Sequence, residues 1–403
     1  MTTTSILAAT LAACCLAGTA CAAGPKAYVG NFKDSTVSVI DTGSAHVVAT
    51  VPVASGPDGI AVTQDDAQVF VSGSSASSLS VIDTASDQVS GTIEVGKGPQ
   101  GLALTPDGRW LLVAVNGEDR VAVIDTATRK VAATVPVPKP HTIAVRPDGR
   151  QAYVSSQAPG NFSLAVIDLA SRSVSATVPV DKTPRDLEFG PDGKALYVTL
   201  AGVSAVQVYD PASNQLVAQI PTGVSPHVAH HFSGTRSGVV VVQGPGELML
   251  FDPQARAPLR SIAVGKQPHW VDVLPDRSKV LVTNEGSNDV SLVDLAGGAV
   301  QTIPVGAAPR KVAVQHKAGG GGQAKVSIDN FAFGPAQVSI AAGQSVRWTN
   351  DDGAPHGIAF ADGAPGMDLM LPGRDFARQF AKPGVYDYVC SVHPYMTGRV
   401  TVN

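Results

Sequence analysis

The sequence predicts an all-β protein in two parts, a seven-bladed β-propeller followed by a small β-sandwich. Three observations carry that prediction. An Asp ends a short β-branched run at Asp41, Asp83, Asp125, Asp168, Asp210, Asp252 and Asp294, at spacings of 42, 42, 43, 42, 42 and 42 residues. A Pro opens a further run at Pro57, Pro99, Pro140, Pro184, Pro226, Pro268 and Pro309. Runs such as Gln151-Ala152-Tyr153-Val154-Ser155 and Ser163-Leu164-Ala165-Val166-Ile167 fill the intervals, and Pro-Asp-Gly turns recur at 106–108, 147–149 and 191–193. Four short strands per repeat of this length is the pattern of a propeller blade. The β-branched runs and the Gly and Pro punctuation rule against a helical solenoid.

The order of elements also states how the ring closes. Residues 27–53 hold three strands with no Pro-led strand before them, and residues 309–315 are a Pro-led strand with no successors. The last strand is therefore expected to complete the first blade as its innermost member, which removes the free edges of an open sheet. The repeats resemble the YVTN family of propellers, with Val282-Thr283-Asn284 the clearest trace. That resemblance extends to the heavy chain of methylamine dehydrogenase and to the propeller of nitrous-oxide reductase.

At 403 residues the chain has room for two or three domains. A net charge of -4 gives no footprint for nucleic acid or an anionic membrane. Residues 1–23 read as an export signal: Ile6 to Ala20 is apolar and small, and Ala20-Cys21-Ala22 offers a cleavage site, although no basic residue precedes the run. Leu11-Ala12-Ala13-Cys14 resembles a bacterial lipobox, which leaves a lipid anchor open; a membrane span is disfavoured by the Ala- and Thr-rich composition. Three of the four Cys (14, 15 and 21) fall in this leader, so cleavage leaves Cys390 without a disulfide partner. A periplasmic or otherwise extracytoplasmic location follows, and a metal would give the lone thiol a use. Residues 24–317 are assigned to the propeller and 318–323, including four consecutive Gly, to a flexible linker spanning ~12 Å. The second domain takes 324–403.

That second domain carries the chemistry. Cys390-Ser391-Val392-His393-Pro394-Tyr395-Met396 places a thiolate, an imidazole and a thioether in one short loop, and His356 lies upstream in Ala354-Pro355-His356-Gly357. Two His and one Cys with a weak axial Met form the ligand set of a blue-copper electron-transfer site. Val326-Ser327-Ile328 and Val338-Ser339-Ile340 alternate as half-buried strands, and Tyr386-Asp387-Tyr388-Val389 delivers Cys390 at a strand end. The stretch resembles the cupredoxins, and amicyanins most closely, through Val346-Arg347-Trp348-Thr349-Asn350, Pro355-His356, Lys382 to Cys390 and the C-x2-H-x2-M loop. The resemblance implies a cupredoxin β-sandwich holding one copper, with His356, Cys390 and His393 as strong ligands and Met396 as the axial one. It implies that Asn350 braces the ligand loop.

Within the propeller, one column departs from the repeat. The residue after each landmark Pro reads Asp58, Gln100, His141, Arg185, His227, His269 and Arg310; three positions further it reads Ala61, Ala103, Ala144, Glu188, His230, Asp272 and Ala313. These positions open the innermost strands and ring one mouth of the channel. Either His141, His227, His269 and His230 form a second metal or small-anion site, or the mouth is a solvated polar funnel. No nucleophile elbow, paired catalytic carboxylates or dinucleotide fingerprint occurs. Two functions are thereby open. One is an exported one-electron carrier, with the propeller as docking platform for a redox partner of cytochrome or dehydrogenase type. The alternative is a metalloenzyme like nitrous-oxide reductase, although that enzyme's binuclear cupredoxin site needs two Cys and this domain has one.

Overall fold

The computed structural model describes residues 24–316, 324–340, 344–364, 366–380 and 382–402. The expected export signal and Gly-rich linker lie outside the described residues. Seven four-stranded antiparallel sheets make up residues 26–314. The strand Pro309–Val314 pairs with Lys26–Asn31, which continues to Thr36–Asp41 and His46–Pro52, so the first blade is completed by the last strand. In every blade the Pro-led strand lies at one end of the four-strand order. Proline suits that place because it has no N–H to donate to a ladder.

The landmark Asp residues have a local cause. Each accepts, through a carboxylate oxygen, the backbone N–H of a residue two or three positions on: Ser44, Ser86, Thr128, Ser171, Ala212, Gln254 and Gly297, at 2.5–2.9 Å. This Asx turn reverses the chain between the third and fourth strands. Four residues after each Asp the backbone becomes left-handed, at Ala45, Asp87, Arg129, Arg172, Asn214, Arg256 and Gly298, with φ between 53° and 78°. The Pro-Asp-Gly triplets are β-turns as expected: the N–H groups of Gly108, Gly149 and Gly193 donate to Thr105, Arg146 and Gly190 at 2.8–2.9 Å.

Neighbouring blades share apolar cores. Val37, Val39 and Val51 of one blade pack with Ile60, Val69 and Val71 of the next, and equivalent clusters follow around the ring. Hydroxyls on the second strands add a positional lock. Ser72 donates to the carbonyl of Gln100, Thr199 to that of His227 and Thr283 to that of Arg310, each at 2.6 Å. The residue after the landmark Pro is thus pinned from the preceding blade.

The C-terminal unit is a two-sheet sandwich. One sheet runs Ala332–Gly334, Ala324–Asp329, Ser345–Asn350, Asp375–Gln379; the other runs Gln337–Ile340, Thr397–Val402, Gly384–Val389, His356–Phe360, Met367–Met370. Trp348 is fully buried between them, edge-on to Tyr388 at 5.2 Å and Phe360 at 5.7 Å. Among the described residues no helix is long and apolar enough to cross a membrane.

Candidate metal centre

The strand Gly384–Val389 ends at Cys390, and the loop that follows is closed by its own backbone. The Cys390 N–H donates to the Met396 carbonyl at 3.0 Å, and the Met396 N–H to the His393 carbonyl at 2.9 Å. His356 opens the neighbouring strand and is fully buried. Cys390 Sγ lies 3.6 Å from His356 Nδ1 and 3.8 Å from His393 Nδ1, and the two Nδ1 atoms are 3.3 Å apart. These form the one group of three His, Cys, Asp or Glu ligand atoms lying within 4.8 Å of one another among the described residues. A trigonal ion with bonds of ~2.0–2.3 Å would set donor-to-donor edges of about 3.5–4 Å. The triangle therefore fits a copper ion in size and in donor chemistry. Met396 is buried beside Cys390 in the same apolar cluster.

Surrounding groups fix the donor atoms. His356 Nε2 lies 3.1 Å from Asp352 Oδ2. Because a carboxylate accepts, Nε2 carries the proton and Nδ1 keeps its lone pair toward Cys390, as an outer carboxylate does for metal-ligating histidines. The Phe331 N–H donates to the same Asp352 carboxylate at 2.9 Å, and that contact, followed by the one from His356, holds the Asp352 pKa below its ordinary value. The backbone N–H groups of Gly357 and His393 each donate to Cys390 Sγ at 3.4 Å and fix its position. Gly357 is required by this approach, since a Cβ there would run into the Ser391 hydroxyl and the Asp368 carbonyl. The Phe331 ring stands edge-on to both imidazoles, 5.4 Å from His356 and 5.0 Å from His393.

Asn350 braces the site from a different side than expected. Its Nδ2 donates to the carbonyls of Ala354 at 2.9 Å and Met370 at 2.8 Å. Both carbonyls flank His356, in the turn before it and on the strand paired with it, so the side chain supports the His356 loop rather than the Cys390–Met396 loop. Its strand ends facing that turn.

The propeller histidines divide into two places. His141, His227 and His269 line one cavity of about 220 Å³ together with Asp58, Arg185, Arg310 and Lys311. The His227 and His269 ring centroids lie 4.0 Å apart with the planes tilted by 44°, a closeness that follows from their positions on adjacent blades. His230 is not part of this cavity. It lies 3.8 Å from Glu188 and edge-on to Phe232 and Trp270 at 5.1 and 5.4 Å. Three residues along a strand from His227 it points away from that mouth, so the four-histidine cluster expected from the sequence is three plus one. Burial holds His227 and His230 neutral, at about 3.

Residues 10–107 and 104–235, together more than half of the chain, match the family model described as YNCE-like beta-propeller. Residues 321–403 match copper binding proteins of the plastocyanin/azurin family. Amicyanin-alpha of Methylorubrum extorquens is 37% identical over 87 residues, which is 20% of this chain and 72% of that protein. The chain belongs to the YNCE-like β-propellers and ends in a copper-binding domain of the plastocyanin/azurin family. Amicyanin of Paracoccus versutus is 37% identical over 82 residues, 19% of this chain, and the match spans 62% of its length. For the propeller, a solved chain titled Kuenenia stuttgartiensis hydrazine synthase superposes with a TM-score of 0.62 at 20% identity, covering 71% of this chain and 99% of that one. At that identity the likeness shows the propeller fold alone.

Several residues of this copper-binding domain and its propeller were not singled out from the sequence. Asp352, four residues before His356, offered a signal in its spacing; Phe331 offered none, because it stands on the far side of the sandwich in sequence. In the channel, Asp186, Trp270 and Lys311 occupy the column two residues after the landmark Pro, where the other blades have Gly59, Gly101, Thr142 and Val228.

Proposed function

We propose that this protein is an extracytoplasmic one-electron carrier in which His356, Cys390 and His393 would hold a copper ion, with Met396 as a weaker fourth donor. The observation that supports it most is the donor triangle of 3.3–3.8 Å edges, drawn from a buried strand end, a closed loop and a carboxylate-oriented imidazole. Bound copper supplies a one-electron Cu(II)/Cu(I) couple there. The protein's own groups hold the donors still, so little rearranges when an electron moves. His393 is half-buried, and Phe331, Val392 and Tyr395 around it are 43%, 42% and 70% exposed. A redox partner protein docking on this apolar rim would exclude water and bring its own centre close to the His393 edge. The propeller serves as a further docking platform, and the domain boundaries stand at 24–317 and 324–403.

The reading of a second, catalytic metal in the propeller draws less support: although His227 and His269 are close, His141, His227 and His269 do not bring three ligand atoms within 4.8 Å of one another as the copper triangle does. The test is spectroscopic. The protein loaded with one Cu(II) per chain is expected to be intensely blue, and Cys390→Ser to lose that band entirely. A colourless wild type holding one Cu(II) would refute the blue-copper assignment, and two coppers per chain would favour the enzyme.

A further inference from the structure

The three imidazoles of the propeller cavity share it with three basic side chains, of which one alone has ion-pair partners among the described residues. Arg310 is matched by two carboxylates, Asp58 at 3.1 Å and Glu285 at 3.3 Å. Arg185 has neutral partners: one of its terminal nitrogens donates to Ser225 Oγ at 2.8 Å and to Gln243 Oε1 at 3.0 Å. The Lys311 ammonium lies 3.8 Å over the Trp270 ring, with no carboxylate within salt-bridge distance among the described residues. The acids beyond it, Asp186 and Glu188, are pushed by burial up to about 7 and about 8; burial likewise lowers the Lys311 pKa, against the pull of Asp186, Asp58 and Glu188. Both carboxylates within salt-bridge distance of a cavity cation face Arg310, so among the described residues Arg185 has none of its own. A half-buried guanidinium with only neutral partners and a buried ammonium without a close ion pair are costly unless something else compensates them.

The imidazoles add donors. The Nδ1 atoms of His141, His227 and His269 are buried without a hydrogen-bond partner. Burial keeps His227 and His269 neutral, reinforced by Arg185 and Lys311 at His227 and by Arg310 and Lys311 at His269. A neutral imidazole still donates one N–H, and each ring nitrogen takes either role by tautomer. The cavity volume of about 220 Å³ accommodates a small ligand.

We propose that this cavity binds one small monovalent oxyanion, held by the Arg185 guanidinium, the Lys311 ammonium and N–H groups of His141, His227 and His269. The planar fork of Arg185 suits the two oxygens of such an anion. His141, His227 and His269 do not bring three ligand atoms within 4.8 Å of one another, an arrangement that suits a ligand with several acceptor atoms better than a single ion.

The test uses the copper-loaded full chain in chloride-free buffer, titrated with nitrate by calorimetry, and crystals soaked in bromide as an anomalous scatterer. One nitrate per chain and a bromide peak among His141, His227 and His269 are expected. Arg185→Gln and Lys311→Met should each weaken nitrate binding by about tenfold or more, the loss expected for a charge-assisted hydrogen bond. Arg185→Lys should recover part of it. If Arg185→Gln fails to fold, Lys311→Met alone decides. No saturable nitrate binding by wild type, or unaltered binding by Lys311→Met, overturns the proposal. So does a second metal ion per chain that His227→Asn removes. The colour of the copper site is unaffected in all these variants, which keeps failure here separate from failure of the carrier assignment.

Discussion

The copper triangle and the propeller cavity are each built on a pair of histidines with a third donor, yet one is closed and the other open. In the C-terminal domain the Cys and His393 share one loop, and the second His opens the next strand. Local backbone hydrogen bonds therefore draw the donors to 3.3–3.8 Å. In the propeller each imidazole comes from a different blade, and its place is set by the diameter of a seven-blade ring. Thr199 and Thr283 pin the carbonyls of His227 and Arg310 to that ring and keep the column open. A loop can contract around a bare ion, whereas a closed ring of sheets presents a fixed radius. The copper site is thus specified by spacing in sequence and the cavity by the number of blades.

The comparison breaks most visibly if the two units are not independent. Val312 is 2% exposed on the closing strand. Val312→Asp buries an unpaired carboxylate there and should destabilise the ring by about 4 kcal/mol or more. In calorimetry the propeller transition is expected to fall while the blue band persists. Loss of both together would mean that the domains share a core and the boundary at 317 is misplaced. A smaller effect is expected from Asn350→Ala, which leaves the Ala354 and Met370 carbonyls without their donor. The C-terminal domain should lose about 1–3 kcal/mol for each, read as a lower denaturant midpoint for the colour change with the propeller midpoint unmoved. Asp352→Asn keeps the fold but removes the carboxylate that orients His356. Copper affinity in a competition titration should drop about 10–100-fold, and an unchanged affinity would deny Asp352 that role.

The smallest effect separates the units by pH. His316, just beyond the closing strand, donates from Nδ1 to Asp66 Oδ1 at 2.9 Å, and that hydrogen bond raises its pKa above the ordinary 6.5. A raised pKa in the folded state means the stabilisation is complete below about 6.5. It is lost as pH rises through the folded value. The propeller midpoint should therefore decline as pH is raised above 6.5, by a modest amount because the imidazole is partly exposed. Asp66→Asn should flatten the profile, and a midpoint that climbs over this range would contradict the linkage.

The landmark Asp and Pro residues made the propeller legible because each performs the same local task seven times, an Asx turn or the start of an innermost strand. The copper donors were legible for a related reason: three of the four lie within seven residues. What the sequence concealed lies at positions joined only through folding. Phe331 reaches both imidazoles across the sandwich, and Asn350 supports a different loop from the one expected. His230 shares a strand with His227, yet three residues of pleated backbone set it against Glu188 and Trp270 instead of in the cavity. The sequence columns gave each residue's height along the axis, while the direction of each side chain depends on strand pleat and on Trp270 and Lys311 between the two levels.

The ring is sewn shut by residues far apart in the chain: the Lys26 N–H donates to Gln315 Oε1 and the Gln315 N–H to the Lys26 carbonyl, both at 2.9 Å. During synthesis six blades can form from the strands already made, but the first must wait with an unpaired inner edge until Pro309–Val314 appears. The chain is then exposed to edge-to-edge association, and the long loop that has to close makes this a late step. The same adjacency of entry and exit predicts that the propeller tolerates re-cutting. Circular permutants opened between other blades, with residues 26 and 315 joined by a short bridge, would carry the closing strand early and should assemble faster than the natural order.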